Sequence, residues 1–435
     1  MGCKPSEVRI YVPYTIRFNL FVALKSIQAL DLSGSHIIEL PSSIGNVVHL
    51  CYLDLSFTLI ESLPESIDQL HQLQTLRLEG CTHLYNLPDG MKVLIGLRYL
   101  DFDVLGQLTC MPKGVGALTE LCTLSAFIVE SGEGCTIREL KYMNNLKGSF
   151  CISGLENVAD HEAQTTTLSD KKYLTRLQLR WNDFKSYDDQ KRSDIFWTTN
   201  YLEPNSCLEE LQILYYPGLK LPPWIGSPLF KELVSITLLK CAIKELHTKL
   251  GKLPTLRYLN ITFMYELTNI DYRVHRYYGE DPGSFPKLEA LRIDGMPKLA
   301  TWDGVCYGDF PLLTELVVRQ CPKLSVLLFL PHLPSLRHLE ISHCKVLKSL
   351  SHGPTLSTSL ETLVIDACPL LKKRYMRGGE GWFEIEYIPD ITIDLKDVRS
   401  TQEDGADDDT SSAGSNSDSY YSEGLDNDVH PYDSC

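Results

Sequence analysis

No apolar run in this sequence approaches the roughly 18 residues that a membrane-spanning helix requires. The N-terminus lacks the charged stretch, apolar core and cleavage site of a secretory signal. No basic cluster stands ready to displace counterions from nucleic-acid phosphates. Familiar catalytic signatures are missing too. His161-Glu162 is not followed by the second histidine of H-E-x-x-H, and no G-x-S-x-G elbow occurs. The phosphate loop G-x-x-x-x-G-K-[ST] is absent, since Gly251-Lys252 lacks both the upstream glycine and the hydroxyl residue. These absences argue against a membrane protein, a nucleic-acid binder and an enzyme, and they leave no cofactor or metal site to expect.

Charge and cysteine follow the same trend. The 41 basic and 56 acidic side chains leave a formal charge of −15, and ten of the acids lie in residues 401–435, which contain no Lys or Arg. That Ser-rich, apolar-poor stretch, residues 398–435, is expected to be a disordered acidic tail. Fourteen cysteines in a chain of 435 residues without C-x-x-C spacing point to reduced thiols in the cytoplasm rather than to a disulfide framework or a zinc site.

What the chain does contain is a repeat. The pattern L-x-x-L-x-L ends at Leu32, Leu55, Leu78 and Phe102, in steps of 23, 23 and 24. A second landmark keeps the same beat: Leu40-Pro41, Leu63-Pro64, Leu87-Pro88 and Met111-Pro112. The series continues through Leu124, Ile152, Leu179, Ile213, Leu238, Ile261, Ile293, Val318, Ile341 and Ile365, giving about 14 repeats. Longer steps identify insertions near residues 183–205 and 269–284, expected as surface loops. No single repeat of this length can enclose a core, so the repeats must stack. The expected fold is an α/β leucine-rich-repeat solenoid, a curved horseshoe with a concave parallel β-sheet on the order of 65 Å long. Cys81, Cys241, Cys321, Cys344 and Cys368 each follow a rung's last apolar residue by three, the position at which such repeats pack Asn or Cys beneath the turn.

Period-two alternation turns every second strand residue outward. On the early rungs these are Tyr52, Asp54, Arg77, Glu79, Tyr99, Asp101 and Asp103, and in the middle Arg176, Gln178 and Arg180, next to Trp181. Aromatic residues flanked by charge suit a protein-binding surface. Taken singly, each is equally well read as a solvated side chain on a polar sheet face. Tyr258, Asn260, Arg292, Asp294, Glu315, Arg319, His338 and Glu340 continue the face without converging on any recognisable chemistry.

Several stretches resemble a known family. They are ALDLSGSHIIELPSSIGNVVHLCYLDLSFTLIESLPESI, GSFCISGLENVADHEAQTTTLSDKKYLTRLQLRW, LPPWIG, LGKLPTLRYLNI, CPKLSVLLFLPHLPSLRHLEISHC and GEGWFEIEYIPDITID. From Leu20 to Asp394 the chain resembles the repeat domain of plant intracellular nucleotide-binding leucine-rich-repeat receptors, the coiled-coil class of disease-resistance proteins. The resemblance implies a cytoplasmic recognition module that senses a pathogen effector or a guarded host protein and folds back on a nucleotide-binding domain. Because the phosphate loop is missing, ADP or ATP would have to be held by another domain or partner. A stand-alone adaptor, scaffold or decoy is the alternative.

The expected organisation is a leader over residues 1–20, the solenoid over 21–376, a C-terminal cap over 377–397 and the tail. Trp382, Phe383, Ile385 and Ile388 are expected to close the far end. Met-Gly-Cys-Lys-Pro-Ser at the start satisfies the pattern for myristoylation at Gly2, and Cys3 could add a second acyl chain. Membrane association would then depend on Gly2 and Cys3 alone.

Overall fold

The leucine ladder builds the sheet it implies. In the computed structural model, residues 7–9, 21 and 23–398 are described, apart from 104, 105, 133, 183–187, 247, 272–283, 328, 351–355 and 357. All fourteen expected rungs are short strands, from Ala29–Asp31, Tyr52–Asp54 and Thr75–Leu78 to His338–Ser342 and Thr362–Asp366. Except at the fifth rung, each pairs in parallel with the strand of the next, so that Leu53 stands beside Leu30 and Leu76, and Ile261 beside Leu238 and Ile293. Inward positions such as Leu53, Leu76, Leu100, Ile236 and Leu339 are fully buried and belong to one continuous apolar core. Among the described residues every core side chain falls within the span from Phe21 to Val398.

The Leu-Pro landmark has a local cause. Pro41, Pro64 and Pro88 hold extended backbone with φ of −68°, −71° and −72°, and each immediately precedes a 3₁₀ segment: Ser42–Asn46, Glu65–Gln69 and Asp89–Val93. Proline's restricted φ and missing N–H suit the entry to such a turn. These segments pack against one another and contribute Ile44, Ile67 and Met91 to the core.

The expected parallel sheet is present, with one interruption in its ladder. Among the described residues the rungs form a six-stranded and a twelve-stranded sheet, divided within the fifth rung. Thr123–Leu124 pairs back to Tyr99–Phe102, while Ala126–Ile128 pairs forward to Lys147–Ser153. At Ser125 the side chain replaces the ladder: its hydroxyl accepts from the Phe102 N–H at 3.1 Å and donates to Asp101 at 2.6 Å. The rungs stay stacked, although the backbone pairing changes register there.

Both ends extend beyond the fourteen rungs. Glu7–Arg9, placed in the leader by the sequence, is a strand parallel to Ala29–Asp31. At the far end Asp390–Ile393 adds another parallel strand and Lys396–Asp397 turns back antiparallel. Ile385 and Ile388 are buried there as expected, but Phe383 is exposed. The buried polar anchor is Glu384, which accepts from Tyr375 at 2.9 Å and from Arg374.

The insertions are more ordered than loops. Within 183–205 the chain forms the helix Asp189–Asn200, capped where the Asp188 carboxylate accepts from the Lys191 N–H at 2.8 Å. In 269–284, Asn269–Asp271 pairs with Thr301–Asp303 as a second small sheet, while 272–283 lie outside the described residues. Gly2, Cys3 and residues 399–435 lie outside them as well.

Candidate protein-binding face

Each strand must hand its chain to a turn that brings the next side chain back under the core. Two residues after the last inward apolar side chain, the backbone takes left-handed angles: φ is 68° at Gly34, 57° at Phe57, 71° at Gly80, 61° at Tyr215, 51° at Lys240 and 56° at Phe263. At Tyr215 and Lys240 the N–H of this residue donates to the last strand carbonyl of the following rung, Leu239 and Thr262, at 2.8 and 2.9 Å. The side chain at this position therefore stands at the rim of the sheet, and the next residue points inward.

That next residue is the repeated cysteine. Cys81 donates to the carbonyl of Leu55 at 3.0 Å, Cys241 to Ile213 at 3.5 Å and Cys368 to Ile341 at 3.7 Å, each acceptor being the preceding rung's last inward residue. Burial pushes the Cys241 thiol up to about 12, so it remains protonated and is a poor nucleophile. The described cysteines are all unbridged, and among the described residues no three or more His, Cys, Asp or Glu gather as metal ligands.

On the outward face, several candidates serve the fold. Asp54 is only 5% exposed, contrary to its expected role as an open contact. Its carboxylate accepts from the Ser56 N–H at 2.9 Å and the Tyr52 hydroxyl at 2.9 Å, with Arg77 at 3.4 Å. Burial, reinforced by Asp54, raises the Tyr52 phenol above its ordinary value. Arg77 also pairs with Glu79 at 2.7 Å. Asp103 accepts from the Gly80 N–H at 3.0 Å, and Asp101 takes the Ser125 hydroxyl. Tyr99 remains open, at 41% exposure.

In the middle of the chain, Arg176 pairs with Glu210 at 3.3 Å and Gln178 donates to Gln212 at 2.9 Å. Arg180 lies 5.6 Å from the ring centre of Tyr215, while Trp181 is buried edge-on against Tyr216. The later cations are matched by acids: Arg257 with Glu289, Arg292 with Asp294, and Arg319 with Glu340.

Sequence reasoning missed the rim residues Phe57, Tyr215, Lys240 and Phe263. The signal was available: each immediately precedes the residue that packs under the turn, Thr58, Tyr216, Cys241 and Met264. It also missed Trp197, 58% exposed on the insertion helix with Phe196 against its ring.

The comparisons agree with this architecture. Residues 137–264 match the family model described as R13L1/DRL21 leucine-rich repeats. This is a leucine-rich-repeat solenoid, similar to the repeat domain of plant disease-resistance proteins. A protein of Arabidopsis thaliana named for disease resistance is 35% identical over 77% of this chain and 24% of its own length. Another from that plant, named as RPP13-like protein 1, is 34% identical over 81% of this chain and 35% of its own. The solenoid thus spans about a quarter to a third of the length of the relatives it matches. Among solved structures, a plant peptide hormone receptor, RGFR1 in complex with RGF2, aligns over 82% of this chain and 62% of that one, with 17% identity and a TM-score of 0.44. Among the described residues no helix is long and apolar enough to cross a membrane.

Proposed function

We propose that the solenoid is the recognition module of a plant immune receptor, working in the cytoplasm and binding a protein through the outward face of its sheet. The occupant is a pathogen effector, a guarded host protein or the nucleotide-binding domain of a receptor. The observation that carries this reading is the outward face itself. It runs along both sheets, presents Tyr99, Tyr173 and Tyr258 as exposed aromatics among charges, and stands on one continuous apolar core. Exposed aromatics in such a setting favour a protein partner over solvent. The similarity to disease-resistance proteins supports the immune setting. No catalytic step, nucleotide or metal is assigned to the solenoid in this reading, and acylation at Gly2 and Cys3 would add membrane association without altering the binding face.

Site-specific photocross-linking tests it. With p-benzoylphenylalanine at Tyr99 or Tyr258 in plant leaf cells, discrete protein adducts should form. The same group at Tyr142, 66% exposed at the end of the 3₁₀ segment Ile137–Tyr142, should give few. Adducts concentrated at Tyr142, or none at the sheet positions, would refute the assignment. An adduct identified as a protein with no immune role would favour a scaffold or adaptor.

A further inference from the structure

We propose that Arg180, Tyr215 and Lys240 form a subsite for acidic side chains on an extended segment of the partner protein. This inference rests on the recognition reading above and names the chemistry at one place on the face.

The three residues come from consecutive rungs at the C-terminal ends of the strands. The guanidinium of Arg180 lies 5.6 Å from the ring centre of Tyr215, and the ammonium of Lys240 lies 5.4 Å from the same centre. The two positive charges are therefore no more than 11 Å apart. That is comparable to the screening length of roughly 8–10 Å at 0.1–0.15 M salt, so their potentials overlap. Neither has a carboxylate within ion-pair distance among the described residues, whereas Arg77, Arg176, Arg257, Arg292 and Arg319 all do. Two cations sharing one aromatic ring and paired with no carboxylate among the described residues, on a chain whose formal charge is −15, form a local reversal of sign.

The backbone fixes where two of these side chains stand. Tyr215 and Lys240 occupy left-handed conformations with φ of 61° and 51°, at the turn position that glycine fills on the rungs of Gly80 and Gly295. Phe57, Phe263, Gln320 and His343 take the same conformation on other rungs, so the turn geometry of the array sets Tyr215 and Lys240, both half-buried, at the rim of the sheet. A carboxylate can take two parallel hydrogen bonds from Arg180 while Lys240 contributes charge, and Tyr215 offers a flat surface to the adjoining peptide. Because the pair is arrayed along the stacking direction of the rungs, it suits acids spaced along an extended strand rather than a single compact anion.

Fluorescence anisotropy with a fluorescein-labelled peptide of alternating Glu and Ser tests this, with the Gln–Ser peptide as reference. Residues 401–435 carry ten acids of their own. The peptides are therefore titrated against both the full chain and the chain ending at Val398, which retains every core side chain found among the described residues. The acidic peptide should bind at least tenfold more tightly than the neutral one to the shorter chain. Arg180→Gln with Lys240→Gln should remove that preference and flatten the salt dependence. Arg257→Gln with Lys298→Gln, an equal loss of charge elsewhere, should change affinity less than twofold. Equal losses in both double variants would show bulk charge alone and overturn the subsite, as would a shorter chain that does not distinguish the peptides. If photocross-linking from Tyr99 and Tyr258 persists while the acidic peptide is ignored, the recognition reading survives and this subsite falls.

Discussion

Removing Glu384 should loosen the far end of the solenoid selectively. Its carboxylate is buried and accepts from Tyr375 at 2.9 Å and from Arg374, whose side chain is 29% exposed. Leu350 in turn donates its N–H to the Tyr375 hydroxyl at 3.2 Å, so the network ties the cap to the preceding rungs. At an effective dielectric near 20, opposite charges about 4 Å apart attract by roughly 4 kcal/mol. Removing one partner from a buried pair costs about 3–5 kcal/mol in general. Arg374 can recover part of its hydration through its open edge, which lowers the expected loss for Glu384→Ala to about 2–3 kcal/mol. Glu384→Gln keeps the shape and one acceptor, so about 1 kcal/mol should be lost through the weaker, uncharged hydrogen bond. Because repeat arrays unfold in parts, the assay is hydrogen exchange resolved by peptide. Protection should fall across Thr362–Asp366 and Asp390–Ile393 while Tyr52–Asp54 is unchanged. Equal protection in wild type and Glu384→Ala, or a uniform loss along the whole array, would refute the idea that this network holds the cap.

Two further outcomes follow from particular residues. Gly154 has a φ of +71°, and a Cβ there would stand 2.3 Å from the backbone oxygen of Val129, whereas Gly132 has a φ of +77° with nothing within 4 Å. Gly154→Ala should therefore destabilise by about 2–4 kcal/mol and Gly132→Ala by only about 1 kcal/mol, measured by urea unfolding; similar losses would contradict the close-approach argument. Lys171 is fully buried and donates to the carbonyls of Leu140 at 2.7 Å and Met143 at 3.0 Å; burial lowers its ammonium to about 8. Between pH 8 and the ordinary lysine value of 10.5 the unfolded chain holds the proton that the folded chain has released, so stability from this group rises with pH. The stability of wild type relative to Lys171→Met should increase across that window and stay flat below it, and a constant difference would count against the shift.

Much of the architecture was legible because it depends on short-range properties. The alternation in Tyr52-Leu53-Asp54-Leu55 decides which side chains are buried whatever the neighbouring rung, and the prolines at 41, 64 and 88 set their own φ before any packing occurs. The cysteine ladder was readable for the same reason, since its phase relative to the leucines is local. Outward residues were located but not valued. Nothing within a single repeat shows that Asp54 caps its own turn, that the Ser125 hydroxyl takes over from the sheet ladder, or that a helix lies in the insertion after Trp181.

The stacking of about fourteen rungs on one apolar core, and which side chains face away from it, were determined by the amino-acid order alone. The sharing of charge across the face was decided only by tertiary structure. Arg319 meets Glu340 and Arg257 meets Glu289, while Arg180 and Lys240 both lie against the ring of Tyr215. The physical reason is the range of the interactions. Burial is a property of each side chain and its phase in the repeat, but an ion pair needs two residues 21 or 32 positions apart to come abreast, and loop lengths and turn conformations throughout the intervening chain set that register.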